Sequence, residues 1–210
     1  MEQDIDFKSH WNTAYNKADE QLGWFEEVPE KTMRLIEACK LKKDAQILNV
    51  GAGTTTLIDA LLDDGFTNLI ANDLSEVALQ KLKERLKKSH DYNLETIADD
   101  LTNPKELQDL KNIDLWVDRA VLHFFLKEEK QEAYFNLIKK IISKNGFVLI
   151  AVFALDGAPK CCGLDLKRYN SDMLQQKLGN QFKLINSFNY TFINPFGGER
   201  PYTYNLFQKK

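Results

Sequence analysis

Residues 46–56 read Gln46-Ile47-Leu48-Asn49-Val50-Gly51-Ala52-Gly53-Thr54-Thr55-Thr56. Five residues with an apolar majority, closed by two glycines one residue apart, describe a buried strand that stops in a tight turn. An amphipathic stretch, Thr55–Leu62, follows, and Gly65 is a natural helix stop. Strand, glycine turn and helix in that order open a β-α-β unit.

The rhythm repeats downstream. Leu69–Asn72 is a second strand ending at Asp73, with Ser75 as N-cap of a helix running to about Lys88. Leu94–Ala98 is a third strand ending in Asp99-Asp100, and Ile113–Val117 a fourth ending in Asp118. A helix over Glu128–Ile142 and a turn at Asn145-Gly146 lead to a fifth strand, Phe147–Phe153. This alternation predicts an α/β fold, a mostly parallel sheet with helices on both faces. After Gly157 the pattern changes. A helix near Ser171–Leu178 precedes two alternating stretches, Phe182–Phe192 and Tyr202–Phe207, around the turn-rich Asn194–Pro201, which predicts a C-terminal antiparallel strand pair. Upstream, helical patterns cover Phe7–Asn16 and Glu30–Cys39. The whole chain, 1–210, reads as one domain, with 1–44 a helical cap and 45–210 the core.

The composition is that of a globular protein. Lys plus Arg is 28 against 31 for Asp plus Glu, a net charge of −3, which argues against a dedicated nucleic-acid binder. The basic run Lys81–Lys88 spreads its charges around a helix and reads as a solvated face. The longest apolar stretch, Gly146–Leu155, is too short to span a bilayer, so no membrane partner is expected. Three cysteines, Cys39, Cys161 and Cys162, and a start without a basic apolar leader suit a reducing, cytoplasmic setting. Cys161-Cys162 lacks further soft ligands nearby in sequence, so no metal site is expected.

In open parallel sheets ligands bind outside the carboxyl ends of the strands. Those ends here carry Gly51-Ala52-Gly53, Asp73, Asp99-Asp100 and Asp118-Arg119. Glycine allows close backbone approach to a ligand, and Asp73, 22 residues beyond Gly51, can accept from a ribose diol. Asp99 or Asp100 can accept from an exocyclic amine such as adenine N6. A Gly-Lys-Ser/Thr phosphate loop is absent and Thr56 stands where a dinucleotide turn needs its third glycine. A nucleoside cofactor without phosphates relaxes that need.

The order ILNVGAG, LIANDLS, ADDL, DLWVDRAVLHFF and GFVLIAVF resembles the class I S-adenosylmethionine-dependent methyltransferases. The segments DRAVLHFF, KCCGLDLKRYN, PFGGERPYTYNLFQKK, HWNTAY and LGWFEEVPEKTMRLIEAC further resemble a bacterial subfamily of small methyltransferases of unassigned substrate. The resemblance covers nearly the whole chain. It implies a Rossmann-like seven-stranded sheet and S-adenosyl-L-methionine as cofactor. By the same resemblance, Gly51, Ala52 and Gly53 pass beneath the methionine portion and ribose, and Asp73 holds the ribose hydroxyls. Leu74 packs on adenine, Asp99, Asp100 and Leu101 sit at its edge, Asp118 and Arg119 lie beside the methionine tail, and Trp11 and Tyr15 close over the cofactor. Two positions depart from the family pattern: Asn49 stands where an acid commonly meets the cofactor's amino group, and Thr55 replaces a third glycine.

The resemblance implies methyl transfer by in-line displacement. Asp118 and His123 are the candidate catalytic residues, although a histidine in AVLHFF also suits a core hydrogen bond. Trp24, Phe25, Arg168 and Tyr169 are candidate acceptor contacts, each equally consistent with packing. A small-molecule acceptor is expected, with protein lysine methylation and non-catalytic cofactor binding as alternatives.

Overall fold

The computed structural model describes residues 6–87 and 94–210. Its secondary structure runs α1 (Phe7–Ala14), α2 (Glu30–Ala38), β1 (Gln46–Val50), α3 (Leu57–Asp63), β2 (Asn68–Asp73), α4 (Glu76–Leu86) and β3 (Leu94–Ala98). It continues with β4 (Ile113–Arg119), α5 (Glu128–Ile141), β5 (Ile142–Phe153), β6 (Lys160–Cys161), β7 (Leu164–Asp165), α6 (Ser171–Leu178), β8 (Phe182–Ile193) and β9 (Glu199–Lys209). Seven strands form one sheet in the order β3-β2-β1-β4-β5-β9-β8, parallel from β3 to β5 and antiparallel at β5-β9-β8. This is the Rossmann-like arrangement with a terminal antiparallel pair that the sequence predicts.

Each face of the sheet buries its own apolar cluster. Leu35, Ile47, Leu61, Leu69, Leu115 and Leu149 lie in one, and Leu48, Val50, Ile70, Trp116, Ile138 and Ile150 in the other. Adjacent strand residues thus alternate between clusters, as the two-residue period of a strand requires when both faces are covered. Helix α4 starts where Ser75 accepts from the Ala78 amide at 3.2 Å, confirming the N-cap, and ends at Leu86. Lys88, where the sequence places its end, lies outside the described residues.

Helix α3 starts two residues later than the sequence suggests. Thr55 Oγ1 accepts from the Leu57 amide at 3.1 Å, which holds Thr55 in the turn. Arg85 then pins that turn from α4, donating to Thr54 O at 2.7 Å and Thr55 O at 2.5 Å and pairing with Asp59 at 2.6 Å. A third glycine is therefore unnecessary: side chains fix the loop that glycine would otherwise leave free. The turn at Asn145-Gly146 is instead a break in register inside a longer β5, with Asn145 at φ +65°.

The chain reverses its winding beside β1, which has β2 on one side and β4 on the other. The crevice at the carboxyl ends of β1 and β4 is the topological switch point, where a ligand site is expected. Among the described residues no helix is long and apolar enough to cross a membrane.

Candidate active site

A deep cleft opens at this switch point. Gly51 follows β1, Asn72, Asp73 and Leu74 end β2, Asp99, Asp100, Leu101 and Thr102 follow β3, and Arg119, Ala120 and Val121 end β4. Trp11 and Tyr15 of the N-terminal segment and Trp24 close it from above. Thus Gly51, Asp73 and Asp99 converge on one rim, as the sequence requires of a nucleoside slot.

Asp73 is the hinge of this rim. Its Oδ2 accepts from the Gly53 amide at 2.8 Å and its Oδ1 from the Ser75 amide at 2.8 Å. Burial pushes its carboxyl up to about 6 against the pull of these backbone donors. Asn72 ties the neighbouring strand ends together, donating to Ile97 O and Asp99 O, both at 3.0 Å.

The two glycines serve packing of the chain on itself. A Cβ on Gly51 would lie 2.0 Å from Val121 Cγ2, and one on Gly53 2.2 Å from the Tyr15 hydroxyl. Both adopt left-handed backbone, φ +55° and +54°. Gly53 therefore lies under the Tyr15 ring rather than on the cleft wall, and Ala52 lines a smaller neighbouring hollow.

Several expected site residues are placed differently. Asp118 is fully buried, and its carboxylate accepts from Tyr134 Oη at 2.6 Å and the Val121 and Leu122 amides at 2.9 and 3.1 Å. It caps the short helical turn Leu122–Phe124 from behind and does not line the cleft, so it is unsuited to act as a base. Asp99 does line the cleft, but Oδ2 receives the Lys105, Glu106 and Leu107 amides and Oδ1 the Asp100 amide. Asp99 thus has both carboxylate oxygens engaged by backbone amides, as Asp73 does, while Asp100 Oδ1 accepts from Thr102. Tyr169 is wholly buried in the core and Arg168 donates to Gly157 O at 3.1 Å, so neither reaches the cleft. Phe25 borders the smaller hollow.

His123, by contrast, reaches the cleft. It is fully buried, edge-on to Phe124 at 4.5 Å and Phe153 at 5.0 Å, and neither ring nitrogen has a hydrogen-bond partner among the described residues. Burial, with the Arg119 charge nearby, holds its imidazole down at about 3. It is a neutral ring at physiological pH, a hydrogen-bonding group rather than a strong base. The core hydrogen bond considered for it from sequence is absent.

The sequence did not point to Asn72, Val121, Phe124, Phe153, Arg200 and Tyr202, all of which line the cleft together with Cys161. Cys161 had a readable signal. Cys162-Gly163, at φ +55° and +79°, forms the two-residue turn between β6 and β7, and Gly in such a turn between paired residues marks a hairpin. The Cys161 and Cys162 sulfurs lie 3.4 Å apart. The position of Arg200 depends on how β9 crosses the sheet, which no local pattern reveals.

The smaller hollow beyond Gly51 tests whether S-adenosylmethionine fits. Its walls include Asn49, Thr54, Thr55, Thr56, Trp24 and Arg119. Asn49 Oδ1 and Arg119 Nη2 are buried there without hydrogen-bond partners, although Arg119 Nε lies 3.1 Å from Glu26 Oε2 and Nη1 donates to Trp24 O at 2.9 Å. An unsatisfied acceptor and an unsatisfied cationic donor are what a zwitterionic methionine tail needs, its ammonium for Asn49 and its carboxylate for Arg119. The adjoining cleft supplies an acid for a ribose at Asp73 and apolar contact at Leu74 and Leu101. The residues fit the group.

Comparison with known proteins agrees. A methyltransferase domain model matches residues 48–148. The zebrafish (Danio rerio) EEF1A lysine methyltransferase 2 is 27% identical over 157 residues, 68% of this chain and 66% of that protein, so the match spans just under two thirds of the relative. An S-adenosylmethionine-dependent methyltransferase from Anabaena variabilis superposes with a TM-score of 0.76 at 14% identity, over 99% of this chain and 96% of that one. The Burkholderia thailandensis 1,6-didemethyltoxoflavin N1-methyltransferase, solved with its substrate and S-adenosylhomocysteine, gives 0.74 at 18% identity over 97% and 87%. Residues 48–148 thus match a methyltransferase domain, and the parallel sheet with a cleft at its switch point has the fold of the solved S-adenosylmethionine-dependent methyltransferases.

Proposed function

We propose that this protein transfers a methyl group from S-adenosylmethionine to a small-molecule acceptor. The observation that carries this reading is the chemistry of the cleft beyond the cofactor end. His123, Phe124, Phe153, Cys161, Arg200 and Tyr202 line it, whereas the lining acids Asp73, Asp99 and Asp100 lie at the strand ends assigned to the nucleoside. A lysine must be discharged before it can attack, and a carboxylate beside it would help hold and orient the cation. No such carboxylate lines the acceptor end among the described residues.

When bound, S-adenosylmethionine would supply an electrophilic methyl on its sulfonium, with a neutral thioether as the leaving group. This chain's residues bind and orient. Asp73 is the acceptor for ribose hydroxyls, Asn49 and Arg119 flank the methionine tail, and Trp11 and Tyr15 exclude water from above. Positioning alone can supply roughly 7–11 kcal/mol of a barrier, so the lack of a strong base is no obstacle. The N-terminal 1–44 segment acts as the cap on the 45–210 core. Three free cysteines suit a reducing compartment such as the cytoplasm.

The second reading, protein lysine methylation, is favoured by one observation, the similarity to the EEF1A lysine methyltransferases. Incubation with methyl-labelled S-adenosylmethionine and a cell extract separates the two. Label in the low-mass fraction supports the proposal, and label in protein bands supports the alternative. Cofactor binding with label in neither leaves a non-catalytic binding protein.

A further inference from the structure

We propose that the acceptor is a small carboxylic acid with a flat aromatic or conjugated body, its carboxylate bound by Arg200 and a hydroxyl or amine on its body hydrogen-bonded to His123. This rests on the small-molecule reading and narrows it to a class.

Arg200 lies on β9 facing the cleft, half-buried. Its Nη1 donates to Glu199 O at 2.9 Å and its Nε is buried without a partner. No carboxylate pairs with it among the described residues. The other guanidinium of the cleft, Arg119, already has Glu26 at 3.1 Å. Of the other cations lining the cleft, Lys130 stands over the Phe7 ring at 5.2 Å, so the guanidinium without a carboxylate partner is that of Arg200. A guanidinium fork keeps its charge at every relevant pH and matches a carboxylate with two parallel hydrogen bonds. A cationic acceptor would meet that charge with no acid beside it.

His123 supplies the second contact. A buried imidazole with both nitrogens unsatisfied is rare in folded proteins, because each lost hydrogen bond to water has no replacement. Being neutral, the ring offers one donor and one acceptor, the complement of a hydroxyl or an amine. The walls of the cleft are aromatic. Trp11 stands edge-on to Phe124 at 5.0 Å and to Trp24 at 5.6 Å, and Phe153 lies 4.9 Å from Tyr202. Such walls favour a flat apolar body.

The test is binding to the full chain loaded with S-adenosylhomocysteine, read by calorimetry and by tryptophan fluorescence from Trp11 and Trp24. The probes are benzoate, benzamide, benzylamine and 3-hydroxybenzoate. Benzoate is expected to bind at least about tenfold tighter than benzamide or benzylamine, a preference that Arg200→Gln abolishes. 3-Hydroxybenzoate is expected to bind tighter than benzoate in the wild type but not in His123→Phe. Circular dichroism and S-adenosylhomocysteine affinity of each variant report on folding. No benzoate binding, equal binding of benzamide or benzylamine, or an unchanged preference in Arg200→Gln overturns the proposal. Absence of S-adenosylhomocysteine binding in the wild type overturns instead the reading on which it rests.

Discussion

The Gly53 amide donates to Oδ2 of Asp73 at 2.8 Å, joining the turn after β1 to the end of β2 across 20 residues. The same carboxylate takes the Ser75 amide on its other oxygen. One acid thus shapes the floor of the cleft, and the proposed function makes it the acceptor for a ribose. Asp73→Ala should weaken S-adenosylhomocysteine binding by about 10- to 150-fold, the loss expected for hydrogen bonds to a charged group at about 1.5–3 kcal/mol. Calorimetry reads the affinity, and a melting curve without ligand reads the loosened turn separately.

Cofactor affinity should depend on pH through the same group. Burial raises the Asp73 carboxyl to about 6, so below that pH the ligand-free protein carries a proton there that ribose binding must expel. Affinity for S-adenosylhomocysteine should fall by up to about tenfold per pH unit below 6. Asp73→Asn should bind weakly with this dependence removed. A wild-type profile flat from pH 7 to 5 contradicts the assignment.

His123 should contribute to acid sensitivity of the fold. Its native pKa of about 3 lies below the unfolded value near 6.5, so the unfolded chain binds the proton first. The stability associated with its neutral form is present above pH 6.5 and is lost as pH falls towards 3. By pH 4.5 the loss is of order 2–3 kcal/mol. The buried acids Asp73 and Asp118, both raised to about 6, act in the opposite direction, gaining stability as they protonate. Urea unfolding of wild type and His123→Gln at pH 7, 5.5 and 4.5 isolates the histidine: the variant should lose less stability on acidification.

Tyr134→Phe tests whether Asp118 is structural. The variant removes the 2.6 Å hydrogen bond and leaves a buried carboxylate with its two backbone donors. Stability should fall by about 1–3 kcal/mol while turnover per folded molecule stays unchanged. A fall in kcat with unaltered melting would return Asp118 to the chemistry.

Gly51→Ala should be strongly destabilising, because its Cβ would meet Val121 Cγ2 at 2.0 Å on a left-handed backbone. Val121→Ala in the same chain should recover part of the loss, the remainder being backbone strain. Equal melting of the single and double variants indicates that strain alone sets the cost.

The strands and their mostly parallel arrangement were legible because each buried strand carries its own apolar run and helices alternate with them. That Gly51, Asp73, Asp99 and Asp100 reach the cleft was legible because strand ends are local features. The surroundings of Asp99 and Asp118 were less legible for one reason: an acid at a strand end serves a ligand or caps the next turn, and the Lys105–Leu107 and Val121–Leu122 amides that engage them come from later in the chain. Arg168 and Tyr169 were sought at the cleft, whereas Arg200 and Tyr202, on the neighbour of β5, line it. That pairing joins positions about fifty residues apart, beyond any sequence window.

The cleft is assembled from distant parts of the chain: its nucleoside floor from residues up to Val121, its far wall from Arg200 and Tyr202. Local units close before remote ones, because loop entropy must be overcome first. The cleft is therefore complete only once β9 has paired with β5, the strand pairing that brings Arg200 and Tyr202 to it.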